Sequence, residues 1–419
     1  MGAKRKSSVA IDPGARHLFE GMAGRMESYV EPYRPLLEHP QQGVHLGHMI
    51  SGLTSDLERK SAEPIALQCG LPRRILQNFV GLSRWDWAPL RRRQRREVSD
   101  EIGEADGTLV IDPSATPKKG NMTVGVARQW CGRLGKVDNC VVGVHAVYVG
   151  RDGQAAMVDS ELFLPEAWAN DRARREDVHV PVDVRFRTKI EIGMDMVKRA
   201  CAEMPFGWVL ADEEYGRSTE FRDGIRNCGK HGLLEVPKNT MACKLKGPGS
   251  RRNRRVDQLM QIAAKDVALV DVLVAYGERQ PIRVQATMLQ VLTPRKGRSP
   301  VEETLLHTVD GTGERHFYLG NVPQGATLET VVRRACLRHR VEEVFGEAKG
   351  EVGMDHFECR SFHGWHHHMT LVQMGHWFLV REQKVLGKKN SRESPSACSD
   401  ERLRCSPVFL APATTSFSG

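Results

Sequence analysis

The sequence predicts an α/β protein: a mixed-sheet core, interrupted by a β-rich insertion and preceded by an all-helical segment. Three observations predict it. Apolar residues in the first hundred positions recur at helical spacing, and from about Thr108 the pattern changes to that of strands. Two short apolar runs then deliver an aspartate to their ends, Leu109-Val110-Ile111 to Asp112 and Trp208 to Ala211 to Asp212.

In the helical segment Leu18, Met22, Met26 and Val30 recur every fourth residue, and Met49 to Leu57 continues in helical style. From Ser61 the chain reads SAEPIALQCGLPRRILQNFVGLSRWDWAPL. A short helix should stop near Cys69-Gly70 and a second should open with Pro72 in its first turn. This helix-turn-helix-like pattern puts Arg73, Arg74, Gln77 and Asn78 on the exposed part of the second helix, with side chains suited to phosphates and base edges. Ordinary helical hairpins share the pattern. The run RRRQRRE follows, and Arg91, Arg92 and Arg93 at its head are expected to contact phosphate, the alternative being a solvated face.

The core opens with TLVIDPSATPKKG. Pro113, Ser114 and Pro117 make continued strand pairing unlikely, so the strand is expected to end at Asp112, facing a basic loop that carries Lys118 and Lys119. A carboxylate beside two ammonium groups suits a divalent cation over a phosphate, although Asp and Pro also make ordinary turns. Three β-rich stretches come next, Thr123 to Trp130, Cys140 to Val149 and Ala155 to Leu164, as an antiparallel meander. A helix from Thr188 to Cys201 should bury Ile190, Met194, Val197 and Cys201; then come the strand ending on Asp212 and a further core strand, Leu233 to Val236. That order of strands and helices is the plan of a ribonuclease H-like nuclease core, an analogy at the level of fold.

The insertion opens with a basic arm, KLKGPGSRRNRR, in which Arg251 and Arg252 are candidate DNA contacts. It continues through strand-like pieces at Ala268 to Tyr276, Ile282 to Leu292 and His316 to Leu319. Beyond it, Val341, Val344, Phe345 and Ala348 mark the buried face of a helix. Arg338, Glu342 and Lys349, four and seven residues apart, form a column on a neighbouring face, as a catalytic set or as a surface ion-pair ladder. His363, His366, His367 and His368 resemble a metal cluster in spacing, but consecutive helical side chains diverge by about 100°, so metal binding is discounted. Met369 to Val380 reads as a closing core helix.

The balance of 61 Lys+Arg against 52 Asp+Glu gives a net charge of +9, and the isoelectric point near 9.1 favours a polyanionic partner. Ten cysteines are scattered singly, so reduced thiols and no structural disulfides are expected. The N-terminus lacks a signal-peptide apolar region and no stretch approaches the roughly 20 apolar residues of a membrane span, which points to a cytoplasmic protein that does not engage a membrane.

Three pieces of the chain, taken in order, carry a resemblance: VIDPSATPKKG with the following VGVARQWCGRLGKVDNCVVGV, then WVLADEEYG, then RHRVEEVFGEAKGEVGMDHFECRS. Over residues 15 to 380 the chain resembles the DDE transposases of bacterial insertion sequences, in the cut-and-paste branch whose ribonuclease H-like core is split by a β-rich insertion. The resemblance implies Asp112, Asp212 and Glu342 as a triad holding Mg²⁺, with Mn²⁺ as a substitute. It matches Arg338 and Lys349 to the family's Tyr-Arg-Glu-Lys box, and Ala335 stands where the tyrosine would fall. Double-stranded DNA, both terminal inverted repeats and target, would be the partner, bound by a homodimer in the bacterial nucleoid. The implied organisation is a disordered 1–15, a helical DNA-binding domain 16–105, a catalytic core 106–238 and 326–383, an insertion 239–325 and a disordered tail 384–419. The alternative is a transposase-derived DNA-binding protein that no longer cuts.

Overall fold

The structure, a computed structural model, describes residues 21–245, 252–265, 267–276 and 281–392. The first 20 residues, Arg251 and everything after residue 392 lie outside the described residues. The described residues begin with five α-helices, α1 (Met22–Val30), α2 (Pro40–Leu53), α3 (Ala62–Gln68), α4 (Arg73–Gly81) and α5 (Ala88–Ile102), with a 3-10 helix at Glu31–Leu36 between the first two. Between α3 and α4 the backbone turns at Gly70 in the left-handed region (φ 67°), and Leu71 N donates to Ala66 O at 2.8 Å, closing the helix end.

Four strands follow, β1 (Thr108–Pro117), β2 (Ala127–Cys131), β3 (Lys136–Val149) and β4 (Ala155–Leu162). Next come α6 (Glu166–Ala169), α7 (Arg172–Asp177), α8 (Lys189–Glu203), β5 (Trp208–Ala211), α9 (Glu213–Gly216), α10 (Thr219–Asn227) and β6 (His231–Glu235). The insertion contributes β7 (Met241–Lys244), β8 (Arg254–Arg255), α11 (Val256–Ala263), β9 (Val270–Tyr276), β10 (Pro281–Arg295), β11 (Arg298–Val309) and β12 (Arg315–Gly320). Three helices close the chain, α12 (Leu328–Cys336), α13 (Arg340–Val352) and α14 (Phe362–Arg392), with a 3-10 turn at Leu337–His339 between the first two.

Among the described residues the strands form one mixed sheet, in the order β2-β3-β1-β5-β6-β12-β11-β10-β7-β8, with β4 on β3 and β9 on β10. β1 is antiparallel to β3 and parallel to β5, and β5 is parallel to β6. The central strands are covered on both faces, which is why Leu109, Val110 and Ile111 are all fully buried, as are Val209 and Leu234. The insertion shares this sheet instead of standing apart. β12 pairs with β6 through Tyr318↔Glu235 and Leu319↔Leu234, and β11, absent from the expected strands, joins β10 to β12. A buried ion cluster ties it down: Arg222 Nε of α10 lies 3.0 Å from Glu303 of β11, which also meets Arg295 of β10 at 3.3 Å.

Two expectations need correction. β1 does not stop at Asp112; it runs on to Pro117 against β3, whereas its pairing with β5 ends at Ile111↔Ala211. The prolines are tolerated because that edge of the strand has lost its neighbour and no ladder bond is given up. Lys118 and Lys119 therefore sit six and seven residues beyond Asp112 along an extended strand, about 20 Å away, and do not flank it. The buried face of α8 is Ile192, Gly193, Met196, Val197 and Ala200, while Ile190, Met194 and Cys201 are only partly covered. Gly193 decides this register, since a Cβ there would come within 2.7 Å of Tyr215 and 3.1 Å of Ile111.

The helix α14 is buried on every side from Trp365 to Phe378, as a central core helix is, although it carries buried histidines, Thr370 and Gln373 there. It continues through Arg392, eight residues past Lys384, where the tail was expected to begin. The N-terminal helices pack on it: Tyr29 of α1 donates to Met374 O at 2.9 Å, and Phe79 and Val80 of α4 share its hydrophobic core with Val110 of β1. The histidines go separate ways on this helix. His367 bridges Val80 O and Trp85 O, each at 2.9 Å, His368 faces Gly353 O at 3.0 Å, and His366 stacks on Trp87 at 4.5 Å.

Candidate active site

The register of the parallel strands builds the site. Since Ile111 lies opposite Ala211, the next residues, Asp112 and Asp212, stand side by side where the pairing of β1 with β5 ends, about 5 Å apart at the backbone. Asp212 also caps α9: its Oδ1 accepts from Glu214 N at 2.9 Å and Tyr215 N at 3.4 Å, which leaves Oδ2 for another partner. From the opposite side α13, held to the core by Val341, Val344, Phe345 and Ala348, presents Glu342 and Lys349. Arg338 projects from the preceding 3-10 turn, 3.5 Å from Glu342. All five residues line one cleft of about 650 Å³.

The charges in the cleft are unbalanced toward the acidic side. Burial, reinforced by the charges of Asp212 and Glu342, pushes the Asp112 carboxyl up to about 8 against the opposing pull of Arg338 and Lys349. Asp212 is raised by burial and by Glu214, while the hydrogen bond from His339 and the charge of Arg338 lower Glu342. Burial lowers Lys349; it opposes the charge on Arg338 too, but Asp112, Glu235 and Glu342 together raise that guanidinium. Three carboxylates lining one cleft, one of them driven toward protonation chiefly by burial, offer the hard oxygen donors a divalent cation takes, although their oxygens do not all lie within 4.8 Å of one another. The donor set thus fits the metal that the sequence implies.

Glu343 is turned away from the cleft and pairs with Arg340; its side chain is 17% exposed against 51% for Glu342. Several cleft residues were not singled out in the sequence: Glu214, paired with Lys189 at 2.9 Å; Arg133, paired with Asp355; and Trp130, 62% exposed at the rim. Among the described residues the one grouping of acidic and histidine side chains with ligand atoms mutually within 4.8 Å is Asp310, Glu314 and His316, in the hairpin between β11 and β12 and apart from this cleft.

The other predicted residues are scattered. Arg73, Arg74, Gln77 and Asn78 are all exposed on α4, and the last three line a second cleft of about 550 Å³ with Arg360. Lys119 and Arg252 are exposed, whereas Lys118 donates to Phe357 O at 2.6 Å and lies over the Phe357 ring, burial pushing it down to about 8. The arginine run divides. Arg91 is 4% exposed and donates to Thr370 Oγ1 at 2.8 Å, His366 O at 3.0 Å and Ser160 O, so it holds α5 to α14 and β4 and is not a phosphate contact. Arg92 is 55% exposed beside Glu203, and Arg93 pairs with Glu97 at 3.0 Å.

Residues 32–286 match the family described as DDE superfamily endonuclease. The match includes Asp112 and Asp212 and ends before Glu342. A curated relative, the probable transposase for insertion sequence element IS701 of Microchaete diplosiphon, is 30% identical over 195 residues, 46% of this chain and 48% of the relative. The matched region therefore spans about half the length of that relative. Among solved structures, the NurA nuclease from Sulfolobus solfataricus aligns over 74% of this chain and 93% of its own at 10% identity, but a TM-score of 0.26 gives that likeness no weight. No helix among the described residues is long and apolar enough to cross a membrane. With its family match covering more than half of its length, this chain belongs to the DDE superfamily of endonucleases.

Proposed function

We propose that the chain is an active cut-and-paste transposase, which binds the inverted repeats at insertion-sequence ends and performs strand cleavage and strand transfer in a ribonuclease H-like core. One observation carries the reading: Asp112 and Asp212 stand side by side on adjacent parallel strands where their pairing ends, with a helix that brings Glu342 and Lys349 to the same cleft. The spatial order β4-β3-β1-β5-β6, three antiparallel strands followed by two parallel ones, supports the core assignment.

Asp112, the free Oδ2 of Asp212 and Glu342 would hold Mg²⁺, or Mn²⁺ in its place. Bound there, such ions supply Lewis-acid activation of a water or 3′-hydroxyl and charge neutralisation at the leaving oxygen. Lys349 and Arg338 lie on the same wall and neutralise phosphates on either side of the scissile bond. No covalent bond to the protein is needed. The exposed face of α4, with Arg73, Arg74, Gln77 and Asn78, takes the end sequence; Arg92, Arg93, Lys119, Arg251 and Arg252 add contacts to the backbone of double-stranded DNA. Helices α1 to α5 act as the end-binding region, and the protein works as a homodimer on DNA in the bacterial cytoplasm, associated with the nucleoid.

The test is Mg²⁺-dependent cleavage of DNA that carries the flanking inverted repeats. Asp112→Asn and Asp212→Asn are each expected to abolish cleavage while end binding, measured by mobility shift, stays within about twofold. Cleavage retained in either variant removes that residue from the triad, and an inactive wild-type protein that still binds the ends refutes the catalytic reading.

A further inference from the structure

The register that aligns Asp112 with Asp212 continues one strand further. Ala211 lies opposite Leu234, so Glu235 stands on β6 next to Asp212, and three neighbouring parallel strands each place a carboxylate in one row. Glu235 does not line the cleft with the other two; it lines a separate one of about 510 Å³ together with His316, its side chain 13% exposed. One oxygen, Oε1, lies 2.8 Å from His316 Nδ1 on β12 of the insertion. The other, Oε2, lies 3.4 Å from Arg338 Nε. Another nitrogen of the same guanidinium, Nη2, lies 3.5 Å from Glu342 Oε1. His316, Glu235, Arg338 and Glu342 thus form one continuous chain of contacts from the insertion into the cleft.

We infer that Glu235, braced by His316, is a positioning residue for Arg338, through which the insertion controls the geometry and metal affinity of the cleft. The physical reason lies in what Arg338 would otherwise do. A guanidinium carries donors for two carboxylates at once, and Arg338 already feels Asp112 and Glu342. Ion-paired at Nε with Glu235, it meets Glu342 through Nη2 alone. Released, it would be free to close on the cleft carboxylates and compete with a divalent cation for their oxygens. A neutral residue at 235 cannot supply the anchor, and loss of the imidazole at 316 leaves Glu235 free to rotate.

The inference rests on the assignment of Asp112, Asp212 and Glu342 as metal ligands, which the Asp112→Asn experiment tests by itself. Glu235→Gln should lower the single-turnover cleavage rate 10- to 100-fold, the usual range for residues that orient metal ligands. It should also weaken Mg²⁺ binding to the DNA-free protein in calorimetry, with end affinity unchanged within about twofold. His316→Gln, which keeps the carboxylate, should show smaller losses of the same kind and guards against a folding defect in the first variant. Placing Glu235→Gln in an Arg338→Ala background should add no further loss, because both changes remove one device. Losses that multiply in the double variant, or a His316→Gln protein with wild-type cleavage and Mg²⁺ affinity, overturn the inference while leaving the catalytic triad intact.

Discussion

Replacing Arg91 with alanine separates a structural arginine from a DNA contact. The guanidinium gives up hydrogen bonds to Thr370 Oγ1, His366 O and Ser160 O, and an ion pair 3.7 Å from Asp159. Some of its partners keep alternatives: Thr370 Oγ1 still donates to His366 O at 2.8 Å, and Asp159 retains Arg199 at 2.8 Å and Arg95 at 3.9 Å. Breaking a buried pair costs about 3–5 kcal/mol when the remaining charge is stranded, and here it is not, so about 3 kcal/mol is expected. Urea unfolding followed by tryptophan fluorescence should show a clear fall in midpoint for Arg91→Ala. Arg92→Ala, with an exposed side chain 3.6 Å from Glu203, should stay within about 0.5 kcal/mol of wild type, yet bind every DNA sequence more weakly and with a shallower salt slope. An Arg91→Ala protein that unfolds at the wild-type midpoint but loses DNA affinity would refute the reasoning.

Two further predictions follow from neighbouring positions. Glu342→Gln should remove Mg²⁺-dependent cleavage, while Glu343→Gln, which alters a carboxylate paired with Arg340 outside the cleft, should keep measurable activity on the same DNA; the reverse ranking would place the wrong glutamate in the site. For pH, burial pushes His368 down to about 4 from an ordinary 6.5, so between those values the unfolded chain binds a proton that the folded chain refuses. This contribution is full above pH 6.5 and is lost as the pH falls toward 4, by up to about 3 kcal/mol. Unfolding curves at pH 8, 6 and 5 (about one and a half units above that window, then at two points inside it) should show it, and His368→Gln should flatten the dependence; an identical pH profile in that variant would exclude His368 as its source.

What could be read from the sequence is what local physics writes into it. The apolar run before Asp112, the run before Asp212 and the i, i+3, i+4, i+7 face at Val341 to Ala348 each need only a few consecutive residues to declare an element and its buried side. The same signal was present at Leu233-Leu234-Glu235, a third apolar run ending on an acid. Its significance depends on the pairing of Ala211 with Leu234, and a pairing register has no local signature. The arginine run shows the opposite limit. Helical period divides Arg91 and Arg95 from Arg92 and Arg96, but only the arrival of α14 and β4 determines which pair is buried and which faces water. By itself the sequence determined most of the elements, the apolar runs that lead to Asp112 and Asp212, and the spacing of Arg338, Glu342 and Lys349. Tertiary structure decided that β1 runs past Asp112, that the insertion extends the central sheet and that Glu235 meets Arg338, because each of these is a contact between residues far apart in the chain.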